Sequence, residues 1–278
     1  MEILRYAAFT DRPDGGNPAG VVLDADGLTS GEMQAIAADL GYAESAFISD
    51  RQPGRAAVRY FAPEAEIPFC GHATIATGVA LAEREGPGTL ALSTPVGVLG
   101  LTTDRVADRF VASLETVEPW VDGIDAGCRA DLLRHLRLAE EDLSPDLPVL
   151  LSFAGNIHPI VPVRDAGVLR ALDYDYDGLR TLMAAQGWKA TVAVVHRLAP
   201  HVFEARNPFP PGGVREDPAT GSAAASLGAY LRARNEVLPP ATLTVHQGSD
   251  VGRPSLITVG IPAAGGLTVS GGAVRITA

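Results

Sequence analysis

Apolar and polar positions along the chain follow two periods, and the order in which the periods change occurs twice. An apolar run at 17–23 predicts a strand, and Met33, Ile36, Ala37 and Leu40 then recur at helical spacing. Asp26, Thr29 and Ser30 are candidate caps for that helix, with Glu32 in its early turn. Strands are predicted at 45–49 and 57–61, followed by an Ala- and Gly-rich helix over 72–83 and strands over 89–103. The second pass runs through a strand at 157–163, helical spacing at Leu179, Leu182 and Met183, strands at 191–196 and 202–206, a small-residue helix at 218–232 and strands within 242–262. Small residues all round a helix call for close packing on every side.

The two passes are an internal duplication. Gly41 begins Gly-Tyr-Ala-Glu-Ser-Ala-Phe, and Gly187 begins Gly-Trp-Lys-Ala-Thr-Val-Ala. Cys70 begins Cys-Gly-His-Ala-Thr-Ile-Ala, and Glu216 begins Glu-Asp-Pro-Ala-Thr-Gly-Ser. Gly41 and Gly187, Thr74 and Thr220, and Leu81 and Leu227 are each 146 residues apart. A constant offset means two copies of one unit without net insertion, and two copies are too few for a solenoid. The expected fold is α/β (α+β), with two pseudo-symmetric domains that face each other, each a curved sheet wrapped around a central helix. The N-terminal half is 1–115 and the C-terminal half 116–278, linked through Glu115–Gly123 with its Pro119. The last strand, within 266–278, is a candidate to return to the first half.

Composition narrows the function classes. The chain has 278 residues, room for two domains of about 130 residues each. A net charge of −11 and a pI near 5.0 argue against nucleic acid, so an anion site must be built locally from oriented backbone N–H groups. No apolar run approaches the roughly 20 residues that span a bilayer, and the N-terminus reads as a strand, so no membrane partner and a cytoplasmic location are expected. Two cysteines do not make a secreted disulfide framework. The six histidines show no metal-ligand spacing, and there is no nucleotide-binding glycine motif, so no cofactor and no metal are expected.

Chemistry is sought where the duplication is asymmetric. Both central helices begin at a Gly/Thr-rich turn, where unpaired N–H groups and the helix dipole favour a carboxylate. The first turn carries Gly71, His72 and Thr74, and the second Asp217, Thr220, Gly221 and Ser222. Asp217-Pro218 also reads as an ordinary helix start, with Asp as N-cap and Pro at the first helical position. Glu44 enters an apolar strand, where its copy-two equivalent is Ala190, so the scaffold does not itself require a carboxylate there. An acid in such a place needs a partner or a proton, and a raised carboxyl pKa would suit a general acid/base. Cys70, beside Gly71, is either a thiol activated at a helix start or a small buried apolar residue. Cys128 shares a predicted helix with Leu132, Leu133 and Leu136 and reads as structural.

At these residues the chain resembles the phenazine-biosynthesis isomerase family (PhzF-like), within the diaminopimelate-epimerase fold. The segments that carry the resemblance are Gly16-Asn17-Pro18, Glu44-Ser45-Ala46-Phe47, Phe61-Ala62-Pro63 through Pro68-Phe69-Cys70-Gly71-His72-Ala73-Thr74, and Glu216-Asp217-Pro218-Ala219-Thr220-Gly221-Ser222-Ala223. The resemblance implies a cofactor-independent isomerase, often a homodimer, that shifts a proton within a small carboxylate such as a dihydro-hydroxyanthranilate. It implies Glu44 as the proton shuttle, with His72 and Asp217 as further catalytic groups. Asn17, Gly71, Gly221 and Ser222 are then the substrate-binding groups, with Gly221 and Ser222 on the carboxylate. Cys70 departs from the phenazine enzyme's pattern, which has Ala there, and Asp217-Pro218 stands where two-thiol epimerases carry a second Cys.

Three rivals follow from the same residues. One is a Cys70-dependent epimerase or racemase of an amino or imino acid. Another is a hydrolase using His72, Asp217 and Ser222, which lacks the nucleophile elbow of such enzymes. The third is a non-enzymatic binding or interaction protein on the same scaffold.

Overall fold

The computed structural model describes residues 2–277 and divides them into two compact units, 2–115 with 270–277, and 116–269. The first unit runs β1 (Leu4–Ala8), β2 (Asn17–Val22), α1 (Ser30–Leu40), β3 (Glu44–Gln52), β4 (Arg55–Phe61), β5 (Glu66–Ile67), α2 (Gly71–Glu85), β6 (Gly88–Thr94), β7 (Gly97–Val106) and β8 (Arg109–Glu115). The second runs β9 (Trp120–Asp122), α3 (Ala126–Leu136), β10 (Leu150–Phe153), β11 (Ile157–Pro162), α4 (Ala166–Arg170), α5 (Tyr176–Gln186), β12 (Ala193–Ala199), β13 (Val202–Arg206), α6 (Gly221–Ala233), β14 (Ala241–Gln247) and β15 (Ser255–Ile261). The last strand, β16 (Thr268–Arg275), pairs with β1 from Ala8 opposite Ala273 to Tyr6 opposite Arg275.

Both units are built from two parallel crossovers. In the first, β2 and β3 are joined through α1, and β4 and β6 through α2. In the second, β11 and β12 are joined through α4 and α5, and β13 and β14 through α6. Parallel neighbours need such a connection, because a hairpin cannot reverse the chain twice. In the first unit β16 lies between β8 and β1, so the strands run in a ring, β1-β2-β3-β4-β6-β7-β8-β16, with α2 inside. Everything from His72 to Ala82 on α2 is buried. A Cβ on Gly78 would stand 2.9 Å from Ala112 Cβ and 3.2 Å from Leu101, so the helix approaches the sheet as closely as its small residues allow. Around α6, a Cβ on Gly228 would meet Leu267 Cδ2 at 2.7 Å.

The caps explain why the duplicated offset is visible. Thr29 and Glu32 form a reciprocal capping box at the start of α1. Both outer helices end at a left-handed glycine, Gly41 at φ 65° and Gly187 at φ 68°, a conformation that Gly adopts without strain. Beyond α1, Met33 and Ala37 pack on Val22, Ala25, Phe47 and Phe61. The equivalent layer of the second unit adds α3, whose Leu132, Leu133 and Leu136 join Leu179, Met183 and Val194.

One expectation needs correction. The second central helix begins at Gly221, not at Pro218, and its N-cap is Thr220. Asp217 and Pro218 therefore do not start it. The Gln247 side chain explains the delay, since its Oε1 accepts from Thr220 N at 3.1 Å and its Nε2 donates to Asp217 O at 2.7 Å. These bonds, with Ser255 Oγ donating to Pro218 O at 2.9 Å, hold the segment non-helical. The segment 115–123, expected to link the halves, contains β9. Trp120–Asp122 pairs with Leu151–Phe153, and the Trp120 and Phe153 rings stack at 5.5 Å.

Candidate active site

The start of α2 gathers three chemically active side chains. Glu44 is the first residue of β3, paired with Ala19 of β2, and its side chain keeps 19% of its exposure. His72, in the first turn of α2, is buried, and its Nε2 lies 3.3 Å from Glu44 Oε2. Burial pushes the His72 pKa down to about 4, so the ring is neutral near pH 7. The contact therefore sets a carboxyl group 3.3 Å from a neutral imidazole and is not a pair of opposite charges. Cys70 is the N-cap residue, with Sγ 3.4 Å from His72 Nδ1 and 3.7 Å from Nε2. A sulfur on the lone-pair axis of one ring nitrogen would be much farther from the other. The near-equal distances therefore put Sγ over the ring face.

Glu44, Cys70 and His72 each bring a ligand atom within 4.8 Å of the others, close enough to consider a metal. The sulfur's place over the ring does not fit: a cation on the in-plane lone pair of either nitrogen would lie away from Sγ. The cluster suits proton transfer better than coordination. Behind it, Thr74 Oγ1 donates to Cys70 O at 2.6 Å, so Tyr60, 2.6 Å from Thr74 Oγ1, is the donor to Thr74. Thr74 N also donates to Cys70 O as the first hydrogen bond of α2, and helix geometry leaves the N–H groups of Gly71, His72 and Ala73 without an intrahelical acceptor. Asn17 is buried at the start of β2, two residues before Ala19, on the same face of the strand. Gly16, at φ 62°, feeds it from a turn so tight that a Cβ would stand 2.2 Å from Ala8 O.

The start of α6 is built differently. Thr220 Oγ1 donates to the Asp217 carboxylate at 2.5 Å, and Gln247 fixes the backbone of both residues. Glu216 forms a buried pair with Arg206, whose Nη1 also donates to Leu172 O at 2.9 Å. Ser222, half-buried in the first turn, lies 3.0 Å from Nε2 of His158. His158 is fully buried on β11, and its Nδ1 lies 2.9 Å from Thr191 O and 3.1 Å from Thr191 Oγ1. The hydrolase rival paired Ser222 with His72, but its partner is His158, which motif reading missed. Strand register is the signal that locates it. Gly20 pairs with Ser45 in the first unit, and Thr191 is Ser45's duplicate. Carrying the register of Ile160 with Ala193 two residues back places His158 opposite Thr191, so His158 stands where the first unit has Gly20.

Comparison with known proteins agrees with this architecture. The family described as "Phenazine biosynthesis-like protein" matches residues 6–278. The chain belongs to that family. The "Uncharacterized isomerase YddE" of Escherichia coli K12 is 32% identical over 265 residues, covering 93% of this chain and 89% of its own length. The trans-2,3-dihydro-3-hydroxyanthranilate isomerase of Pseudomonas fluorescens is 30% identical over 260 residues, covering 90% and 86%. The crystal structure of a PhzF-family phenazine biosynthesis protein from Bacillus anthracis superposes with a TM-score of 0.88 at 27% identity, covering 100% of this chain and 98% of that one. Family membership makes the chain an enzyme of the PhzF-like isomerase and epimerase class, with the epimerase-like α/β fold expected from its sequence. Among the described residues no helix is long and apolar enough to cross a membrane.

Proposed function

We propose that the chain is a cofactor-independent isomerase that moves a proton between carbon atoms of a small cyclic carboxylate, with Glu44 as the general acid/base. The observation that carries this reading is the largely buried Glu44 carboxyl group 3.3 Å from the neutral His72 imidazole, in a unit whose duplicate has Ala190 instead. A neutral ring can donate to the carboxylate, or accept from the acid after Glu44 has taken a proton, so the pair serves both halves of a proton shift. A helix-start turn suits a carboxylate, so Gly71 in α2 and Gly221 in α6 are each assigned to substrate binding, along with Asn17 and Ser222, and Asp217 is assigned to polarising the substrate. The dihydro-hydroxyanthranilate class is favoured by the 30% identical Pseudomonas isomerase.

Proton exchange in D₂O, followed by NMR on dihydro-hydroxyanthranilate and a panel of cyclic carboxylates, tests the reading. Deuterium should enter one carbon position, and Glu44→Gln should slow entry by about 10²–10⁴-fold. Undiminished exchange in Glu44→Gln, with loss in Cys70→Ser, would transfer the base to Cys70 and favour the epimerase reading.

A further inference from the structure

The His158–Ser222 pair fixes which way the serine hydroxyl points. Thr191 O is a carbonyl and can only accept, so the ring nitrogen 2.9 Å from it, Nδ1, carries a hydrogen. With one ring proton placed there, Nε2 of a neutral imidazole is a lone-pair acceptor, 3.0 Å from Ser222 Oγ. Ser222 must then give its proton to Nε2. Burial supports the neutral form by driving the His158 pKa down to about 4, although the Thr191 backbone bond pulls upward. Thr191 is itself held, since Asn207 Nδ2 donates to its Oγ1 at 3.2 Å. A half-exposed hydroxyl whose proton is committed inward presents oxygen lone pairs outward.

We propose that Ser222 Oγ reads an N–H or O–H group adjacent to the substrate's carboxylate, with His158 as the positioning residue that keeps the hydroxyl an acceptor. This revises the expectation that the Ser222 side chain binds the carboxylate: two acceptors facing each other would repel. The carboxylate falls to the backbone N–H groups of the same helix turn, whose closeness to Oγ on one residue places the donor group beside the carboxylate. The inference rests on the start of α6 being part of the proposed substrate site, and what it adds is the direction of the Ser222 hydrogen bond and the positioning role of His158.

Two measurements test it. Nitrogen-15 NMR of the imidazoles, assigned through His158→Asn, should show Nδ1 protonated and Nε2 unprotonated at neutral pH, and a protonated Nε2 would overturn the proposal. Binding of 2-amino-3-hydroxybenzoate and of benzoate to the wild-type protein and to Ser222→Ala supplies the second. The donor-bearing probe should lose about tenfold in affinity, the worth of one good hydrogen bond, and benzoate less than twofold. In His158→Asn, where an amide can still reach Thr191 O but the Nε2 acceptor is gone, preference for the donor-bearing probe should fall similarly. Equal loss for both probes in Ser222→Ala would put the hydroxyl on the carboxylate and overturn the proposal while leaving the isomerase reading intact. Failure of 2-amino-3-hydroxybenzoate to bind at millimolar concentration would overturn the proposed contact. Loss of deuterium exchange in Glu44→Gln tests the isomerase reading separately.

Discussion

The turns that open α2 and α6 descend from one sequence, yet they have been equipped for different work. In the first unit, Tyr60 and Thr74 support a helix start at Cys70, and His72 lies 3.3 Å from Glu44, the pair proposed to transfer the proton. At the corresponding positions the second unit has Arg206 for Tyr60, Glu216 for Cys70, Pro218 for His72 and Ala190 for Glu44. Its reactive-looking pair is instead Ser222 and His158, where the first unit has Ala76 and Gly20. The absence of a side chain at Gly20 is enforced, since a Cβ would stand 2.4 Å from Ser45 Oγ. Duplication supplied two helix ends, and on the proposed reading divergence gave one a base and the other a directed acceptor.

The largest expected difference between the turns lies in their supports. Arg206 and Glu216 are both nearly buried, at 11% and 7% exposure of the side chains. Arg206→Ala would leave the Glu216 carboxylate buried without its cation and should cost about 3–5 kcal/mol in urea unfolding. Tyr60→Phe, at the matching position, removes one neutral hydrogen bond and should cost about 0.5–1.5 kcal/mol. Arg206→Met combined with Glu216→Leu should recover most of the loss. Equal costs for the Arg206 and Tyr60 changes would mean that the ion pair is no more than a hydrogen-bonded strut.

Acid should expose what the turns share. His72 and His158 are each neutral in the folded protein down to about pH 4. An unfolded histidine takes up a proton below about pH 6.5. The folded state binds fewer protons in between, so each ring's contribution is whole above about pH 6.5 and is lost as pH falls toward 4, by about 3 kcal/mol when complete. Unfolding free energy measured across that interval should fall less steeply in His158→Asn than in the wild-type protein. Parallel slopes would mean that His158 is protonated in the folded state.

How far the sequence reveals these differences depends on the range of the interactions that make them. The α1 capping box and the glycines ending α1 and α5 are local, so helix positions and the 146-residue offset can be read directly. Glu44 and His72 stand out because their duplicates carry no titratable group. His158 stays hidden because the two units differ in length before β3 and β12: Gly20 and His158 are 138 residues apart, but Ser45 and Thr191 are 146 apart. Only strand pairing aligns them. The start of α6 is misread for a similar reason. Asp217-Pro218 has the local chemistry of a helix start, but a side chain from β14, 30 residues beyond Asp217, overrides it.

That override gives the smallest of these effects and the sharpest local test. β6 and β14 each follow the central helix of their unit, and they end in different ways. Thr94, the last residue of β6, turns its hydroxyl into its own hairpin, donating to Gly97 O at 2.8 Å. Gln247, the last residue of β14, reaches back to Thr220 N, Thr220 Oγ1 and Asp217 O. With Gln247 only 3% exposed, Gln247→Leu would leave those groups short of partners and should cost about 1–3 kcal/mol. The functional signature should be distinct from that of Glu44→Gln. If the Asp217–Thr220 segment carries binding groups as proposed, releasing it should raise KM by more than kcat falls. A fall in kcat at constant KM would instead mean that Gln247 acts on the proton-transfer step, and that the second turn is more than the binding half of the pair.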